Sequence, residues 1–145
     1  MKLLVAVDGS AASLHAVDFA LRLAQATSGS LLLLNVQNRG TLDLSDIDAG
    51  ERDERAMAAA ASDRVLARVA ARCHAAGVPC VTRGAFGPLA ETIAAVAAGE
   101  HADQIVMGTH GRGRVGAAVL GSVAQGVIHA AHVPVTLLKG GSHAG

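Results

Sequence analysis

Aromatic side chains are almost missing from this sequence: 145 residues contain two Phe, no Trp and no Tyr. Proteins that hold single-stranded or looped RNA stack bases on exposed aromatics, so the composition argues against that mode of recognition. Charge of either sign in excess is also missing. Twelve Lys and Arg balance twelve Asp and Glu, which argues against attachment to phosphate backbones or anionic bilayers through a broadly basic surface. No apolar run approaches the ~20 residues that span a bilayer. The opening MKLLVAVDGS reads as a short strand and a turn, not as a targeting segment. The only two cysteines, Cys73 and Cys80, lack CxxC spacing or a nearby ligand cluster, so buried or idle thiols are expected rather than a metal or redox centre. Seven histidines contain no HExxH or similar set. The expectation is a soluble cytoplasmic protein, with small discrete ligands left open.

What is present is a regular alternation. Short leucine- or valine-rich runs alternate with longer helical stretches and no Pro/Ser-rich linker divides them, which predicts one α/β domain over residues 1–140 and a short tail over 141–145. Leu3–Val7 is the first expected strand. A turn at Asp8-Gly9-Ser10 then leads into a helix carrying Leu14, Val17, Leu21 and Ala24. Ser30–Val36 is apolar on both faces, as parallel strands covered by helices are. An Ala-rich helix is expected over Glu51–Ala76, stopped by Gly77. Val78–Arg83 fits a strand only with Pro79 at its start or on an edge, because proline donates nothing to a ladder. A helix beginning near Pro88, a strand at Ile105–Met107, a helix at Ser122–Ala131 and a strand at Val133–Leu138 complete the pattern. Right-handed crossovers make this a doubly wound open sheet, whose ligand crevice lies outside the carboxyl ends of the strands where the winding reverses.

That places attention on the loops after strands one and four. The second runs from Gly108 to Ser122 with five glycines in fifteen residues. Bare backbone approaches a ligand closely there, and the free N–H groups at the start of the following helix favour phosphate oxygens. A Walker loop is excluded, because no Lys-Ser or Lys-Thr follows the last glycine. Gly111-x-Gly113-x-x-Gly116 matches the dinucleotide fingerprint literally, but no Asp or Glu occurs after Asp103 to hold a ribose, so the nicotinamide or flavin reading is rejected. A kinase glycine loop lacks its catalytic partners.

Gly108-x-x-Gly111, nine residues, then Gly121-Ser122 resembles the G-2x-G-9x-G-[ST] loop of the ATP-binding branch of the universal stress proteins, UspA-like. The resemblance covers essentially the whole chain, through Val7-Asp8-Gly9-Ser10, Asn35-Val36, Met107-Gly108-Thr109-His110-Gly111 and His132-Val133-Pro134-Val135. It implies a three-layer, five-stranded parallel sheet of order 3-2-1-4-5, of the adenine nucleotide alpha hydrolase-like (Rossmann-like) type. It also implies a homodimer through the last strands and an adenine nucleotide, ATP with or without Mg²⁺, lying across strands one and four. In that picture the backbone near Val36 meets the adenine with Met107 beside it. Asp8, flanked by Ala6 and Ser10, meets the ribose with Gly108, while Gly111, Gly121, Ser122 and Val123 surround the phosphates.

Individual residues admit plainer roles. Asp8 suits a turn into the first helix as well as a ribose contact. Arg112 and Arg114 suit either phosphate or solvent, and His110 reads as a polar surface residue. The Arg- and acid-rich face of the long helix reads as solvated. The expected function is a dimeric, nucleotide-dependent stress-response regulator, not an enzyme beyond slow ATP hydrolysis. A family-type scaffold without nucleotide is the alternative, and an adenylating enzyme is a poorer fit to a chain of this size. The charge balance is itself divided. Residues 1–103 hold all 12 acids against nine cations, −3, whereas residues 104–145 hold Arg112, Arg114 and Lys139 with no acid, +3.

Overall fold

In a computed structural model, which describes residues 1–37, 49–110 and 120–139, the chain runs β1 (Lys2–Ala6), α1 (Ala11–Thr27), β2 (Ser30–Gln37), α2 (Ala49–Ala75), β3 (Cys80–Phe86), α3 (Leu89–Gly99), β4 (Gln104–Gly108), α4 (Ser122–Ala130) and β5 (Val135–Leu138). All four strand pairings are parallel and the sheet order is β3-β2-β1-β4-β5, the order that the sequence resemblance implied. The polar segment with Asp43, Asp46 and Asp48, most of the glycine loop with Gly111, Arg112 and Arg114, and the tail lie outside the described residues.

Boundaries differ from expectation mainly at prolines. β3 begins after Pro79 and extends to Phe86, and Pro79 takes part only as an acceptor, its carbonyl receiving the Leu31 N–H at 3.0 Å. β5 begins at Val135 rather than Val133 for the same reason: the Pro134 carbonyl accepts from Ile105 N at 2.9 Å, but proline has no N–H to continue a ladder backwards. β1 ends one residue early because Gly9, at φ +83°, turns the chain towards α1.

The alternation of side chains along the strands builds two cores. Leu3, Val5, Leu31, Leu33 and Val106 face α1 and α2, where they meet Val17, Leu21, Leu66 and Val69. Leu4, Leu32, Leu34, Ile105 and Met107 face α3 and α4, where they meet Ile93, Val96, Ala124 and Val127. Both faces of β1, β2 and β4 are covered, which accounts for their uninterrupted apolar runs. Among the described residues no helix is long and apolar enough to cross a membrane.

The fold brings together two residues whose spacing gave no hint of contact. Cys73, near the end of α2, is fully buried in the core cluster against which Cys80, at the start of β3, packs; both thiols are free. Burial first, and the neighbouring Cys80 second, push the Cys73 thiol from an ordinary 9.0 up to about 12. The folded protein therefore holds this proton where the unfolded chain releases it, and the associated stability, complete below pH 9, falls as pH rises from 9 towards 12. At pH 10 the loss is about 1.4 kcal/mol from this group alone. Chemical denaturation at pH 8 and pH 10 measures it, and a Cys73→Ala protein, less stable at both, loses less between them.

Candidate functional site

The winding reverses between β1 and β4, and a cavity of about 450 Å³ opens there at the carboxyl ends of the strands. Its first wall is the turn after β1. Asp8 Oδ1 accepts the Ser10 N–H at 2.8 Å, and Ser10 Oγ caps α1 by accepting from Ser13 N at 3.2 Å. Ser13 Oγ closes the motif, donating to the Ser10 carbonyl at 3.0 Å and accepting from Asp8 N at 3.4 Å. The sequence alone left Asp8 between a turn role and a ligand role. The turn role is real, and it fixes the carboxylate at the cavity, where Asp8 is the only acid among the described lining residues.

The second wall is the end of β2. Even-numbered residues of β2 present their peptide groups to β1: Ser30 N donates to the Met1 carbonyl at 3.0 Å, and the Leu34 carbonyl accepts from Val7 N at 2.8 Å. Val36 is next in that series, but β1 has already turned away, so its N–H and C=O face the cavity it lines. The Val7 carbonyl that would have met Val36 instead accepts Asn35 Nδ2 at 2.7 Å, and Asn35 Oδ1 accepts Gln37 Nε2 at 2.8 Å.

The third wall joins β4 to α4. Gly108 passes so close to α1 that a Cβ there would lie 2.9 Å from the Ala12 Cβ. Gly121 N donates to the Thr109 carbonyl at 2.9 Å, and a Cβ at Gly121 would come to the same 2.9 Å of that oxygen. Gly121 is the N-cap of α4 and supplies no side-chain cap; the first helical bond is Gln125 N to the Gly121 carbonyl, 3.0 Å. The N–H groups of Ser122, Val123 and Ala124 thus have no acceptor within the helix, and all three residues line the cavity. An anion placed there meets several donors and the positive end of the helix dipole.

Nine of the ten residues singled out from sequence, Ala6, Asp8, Ser10, Val36, Met107, Gly108, Gly121, Ser122 and Val123, line this one cavity. The tenth, Gly111, lies outside the described residues. His110 also lines it, with Nδ1 3.2 Å from Thr109 Oγ1, and so is not the plain surface residue expected. Sequence reasoning missed Gln37 and Ser13, and also Ala61 and Val65 of α2 and Leu89 and Ile93 of α3, which close the apolar side. No short-range signal marks these helix residues, because they reach the cavity only through helix packing. No group of three metal-ligating side chains occurs among the described residues.

Comparison with known proteins places this arrangement. The sequence profile of the universal stress protein family matches residues 1–139. A universal stress protein encoded in the 3′ region of the QAH/OAS sulfhydrylase of Thermus aquaticus is 51% identical over 53 residues, a stretch covering 37% of this chain and 39% of that one. Among solved structures, protein MJ0577 superposes with a TM-score of 0.85 at 22% identity, covering 95% of this chain and 94% of its own. A universal stress family protein of Arabidopsis thaliana with AMP bound gives 0.73 at 23% identity, covering 98% of this chain and 93% of its own. A profile match along almost the whole sequence, with the sheet order and crevice its motifs implied, shows that the chain belongs to the universal stress protein family.

Proposed function

We propose that the cavity binds an adenine nucleotide and that the protein acts as a nucleotide-dependent stress-response regulator in the cytoplasm, as a homodimer. The observation that carries this reading is the meeting, in one cavity, of the outward peptide edge of Val36 and the uncapped start of α4, with Asp8 between them. The Watson–Crick edge of adenine offers an acceptor at N1 and a donor at N6, which complements a peptide N–H and C=O. Guanine, with its donor and acceptor exchanged, does not fit. Asp8 then lies where ribose hydroxyls need an acceptor, and Gly121, Ser122 and Val123 where phosphates need donors, with Gly111 of the same loop motif as a further phosphate contact. Family members solved with AMP, with cAMP and with dAMP support the ligand class.

ATP is the proposed ligand because the loop motif resembles that of the ATP-binding branch. Mg²⁺ would be held chiefly by the phosphate oxygens, with Asp8 as the single nearby carboxylate. The described cavity wall offers no second acid to pair with Asp8 and no lysine, so at most slow hydrolysis is proposed. β5 forms one edge of the sheet and its four residues are half-buried, and a second copy pairing along it would cover that edge.

Calorimetric titration with ATP, AMP and GTP, each with and without Mg²⁺, tests the reading. One adenine nucleotide per chain is expected, with Mg²⁺ strengthening ATP and leaving AMP nearly unchanged. No heat with any adenine nucleotide overturns it in favour of a scaffold without nucleotide.

A further inference from the structure

Beside the Val36 peptide lies a chain of three groups whose hydrogen-bond polarity is set from one end. The Val7 carbonyl can only accept, so Asn35, 3% exposed, must turn its NH₂ towards it, at 2.7 Å. Asn35 Oδ1 is thereby aimed at Gln37, which must in turn present its own NH₂, at 2.8 Å. Both amide orientations follow from the chemistry of a backbone acceptor. What remains at the outer end is Gln37 Oε1, an acceptor that receives no hydrogen bond among the described residues, on a residue that lines the cavity.

Resting on the adenine-nucleotide reading above, we propose that Gln37 is a specificity-determining residue, and that Asn35 positions it so that Oε1 accepts a hydrogen bond from the 6-amino group of the base. That amine carries two hydrogens and needs two acceptors when it leaves water. The Val36 carbonyl supplies one and Gln37 the other. A 6-oxo purine brings an acceptor against an acceptor at this point, and the relay cannot invert to receive it, because inversion would set the Asn35 oxygen against the Val7 carbonyl. Selection of an amino over an oxo base is thus carried back through two side chains to a strand carbonyl.

The test is calorimetry of the wild type, Gln37→Met and Asn35→Leu with AMP, IMP and the monophosphate of the 6-unsubstituted purine riboside. Gln37→Met keeps the length of a half-buried side chain and removes only its polar end. It is expected to weaken AMP by about five- to tenfold, the worth of one neutral hydrogen bond, and to leave the unsubstituted purine nucleotide within about twofold. The losses from deleting the amine and from deleting the carboxamide must then be non-additive, as they are for two partners in one bond. Asn35→Leu, if folded, shows the same pattern through Gln37. Equal weakening of AMP and the unsubstituted nucleotide by Gln37→Met overturns the inference while the nucleotide reading stands. A wild type that binds none of the three overturns both.

Discussion

Ser122→Glu is expected to fold at least as stably as the wild type and to weaken ATP by about a hundredfold or more. Ser122 is the first residue of α4, exposed, with an uncapped N–H row beside it. A carboxylate in the first turn of a helix stabilises it by about 0.3–1 kcal/mol, because it faces the positive end of the dipole. The same carboxylate occupies the place proposed for phosphate. Two unit charges 4 Å apart at a protein surface repel by about 4 kcal/mol, and a triphosphate brings more than one charge. A factor of a hundred needs about 2.7 kcal/mol, so electrostatics alone suffices. Thermal melting and nucleotide calorimetry on one preparation separate the two effects. Unaltered ATP affinity would remove the start of α4 from the site.

Gly126 gives the largest expected effect on the fold. In an isolated helix, replacing an interior glycine by alanine stabilises by about 1 kcal/mol, since glycine is the more flexible in the unfolded chain. Here a Cβ on Gly126 would lie 2.6 Å from the Ala90 Cβ of α3, nearer than two carbons can approach. The helices meet through the missing side chain, and a substituent at Gly126 must drive them apart. Gly126→Val is expected to cost about 3 kcal/mol, adding the overpacking of a close contact to the poor helix propensity of a branched residue. Even Gly126→Ala is expected to destabilise, against its usual sign. Urea denaturation of both variants measures this, and a stabilised Gly126→Ala would mean that α3 and α4 are not packed through this contact. The same displacement moves the start of α4, so the surviving folded fraction should also bind nucleotide less tightly.

The strands were legible because Leu31–Leu34 and Ile105–Met107 are apolar without interruption, a pattern that a sheet buried on both faces requires. Their ends were less so, since Pro79 and Pro134 contribute acceptors to the ladders without belonging to the strands. The cavity residues legible in sequence sit at chain turns, Asp8-Gly9-Ser10, Met107-Gly108 and Gly121-Ser122, where local spacing reports local geometry. Residues that arrive by long-range approach left no such trace. Ala61 and Leu89 look like any helix residue until the helices are placed, and nothing marks Cys73 and Cys80 as neighbours until α2 is laid against β3. The carboxamide relay shows the same limit from another side. Asn35 and Gln37 are unremarkable as a pair at alternate strand positions, and only the early departure of β1 at Gly9 makes the Val7 carbonyl available to them.

The central place of β1 also orders events in time. Its neighbour β2 follows after a single helix, but β4 is paired with it from about a hundred residues away, and the backbone N–H of Lys2 is bound by the Asp103 carboxylate. During synthesis the β1-β2-β3 half emerges long before its remaining partner strands, leaving one flank of β1 open until Gln104–Gly108 leaves the ribosome. Met107, Gly121 and Ser122 come later than every other wall of the cavity. A ligand that needs both ends of the crevice therefore meets no competent site on a nascent chain, and its binding rewards only the completed sheet.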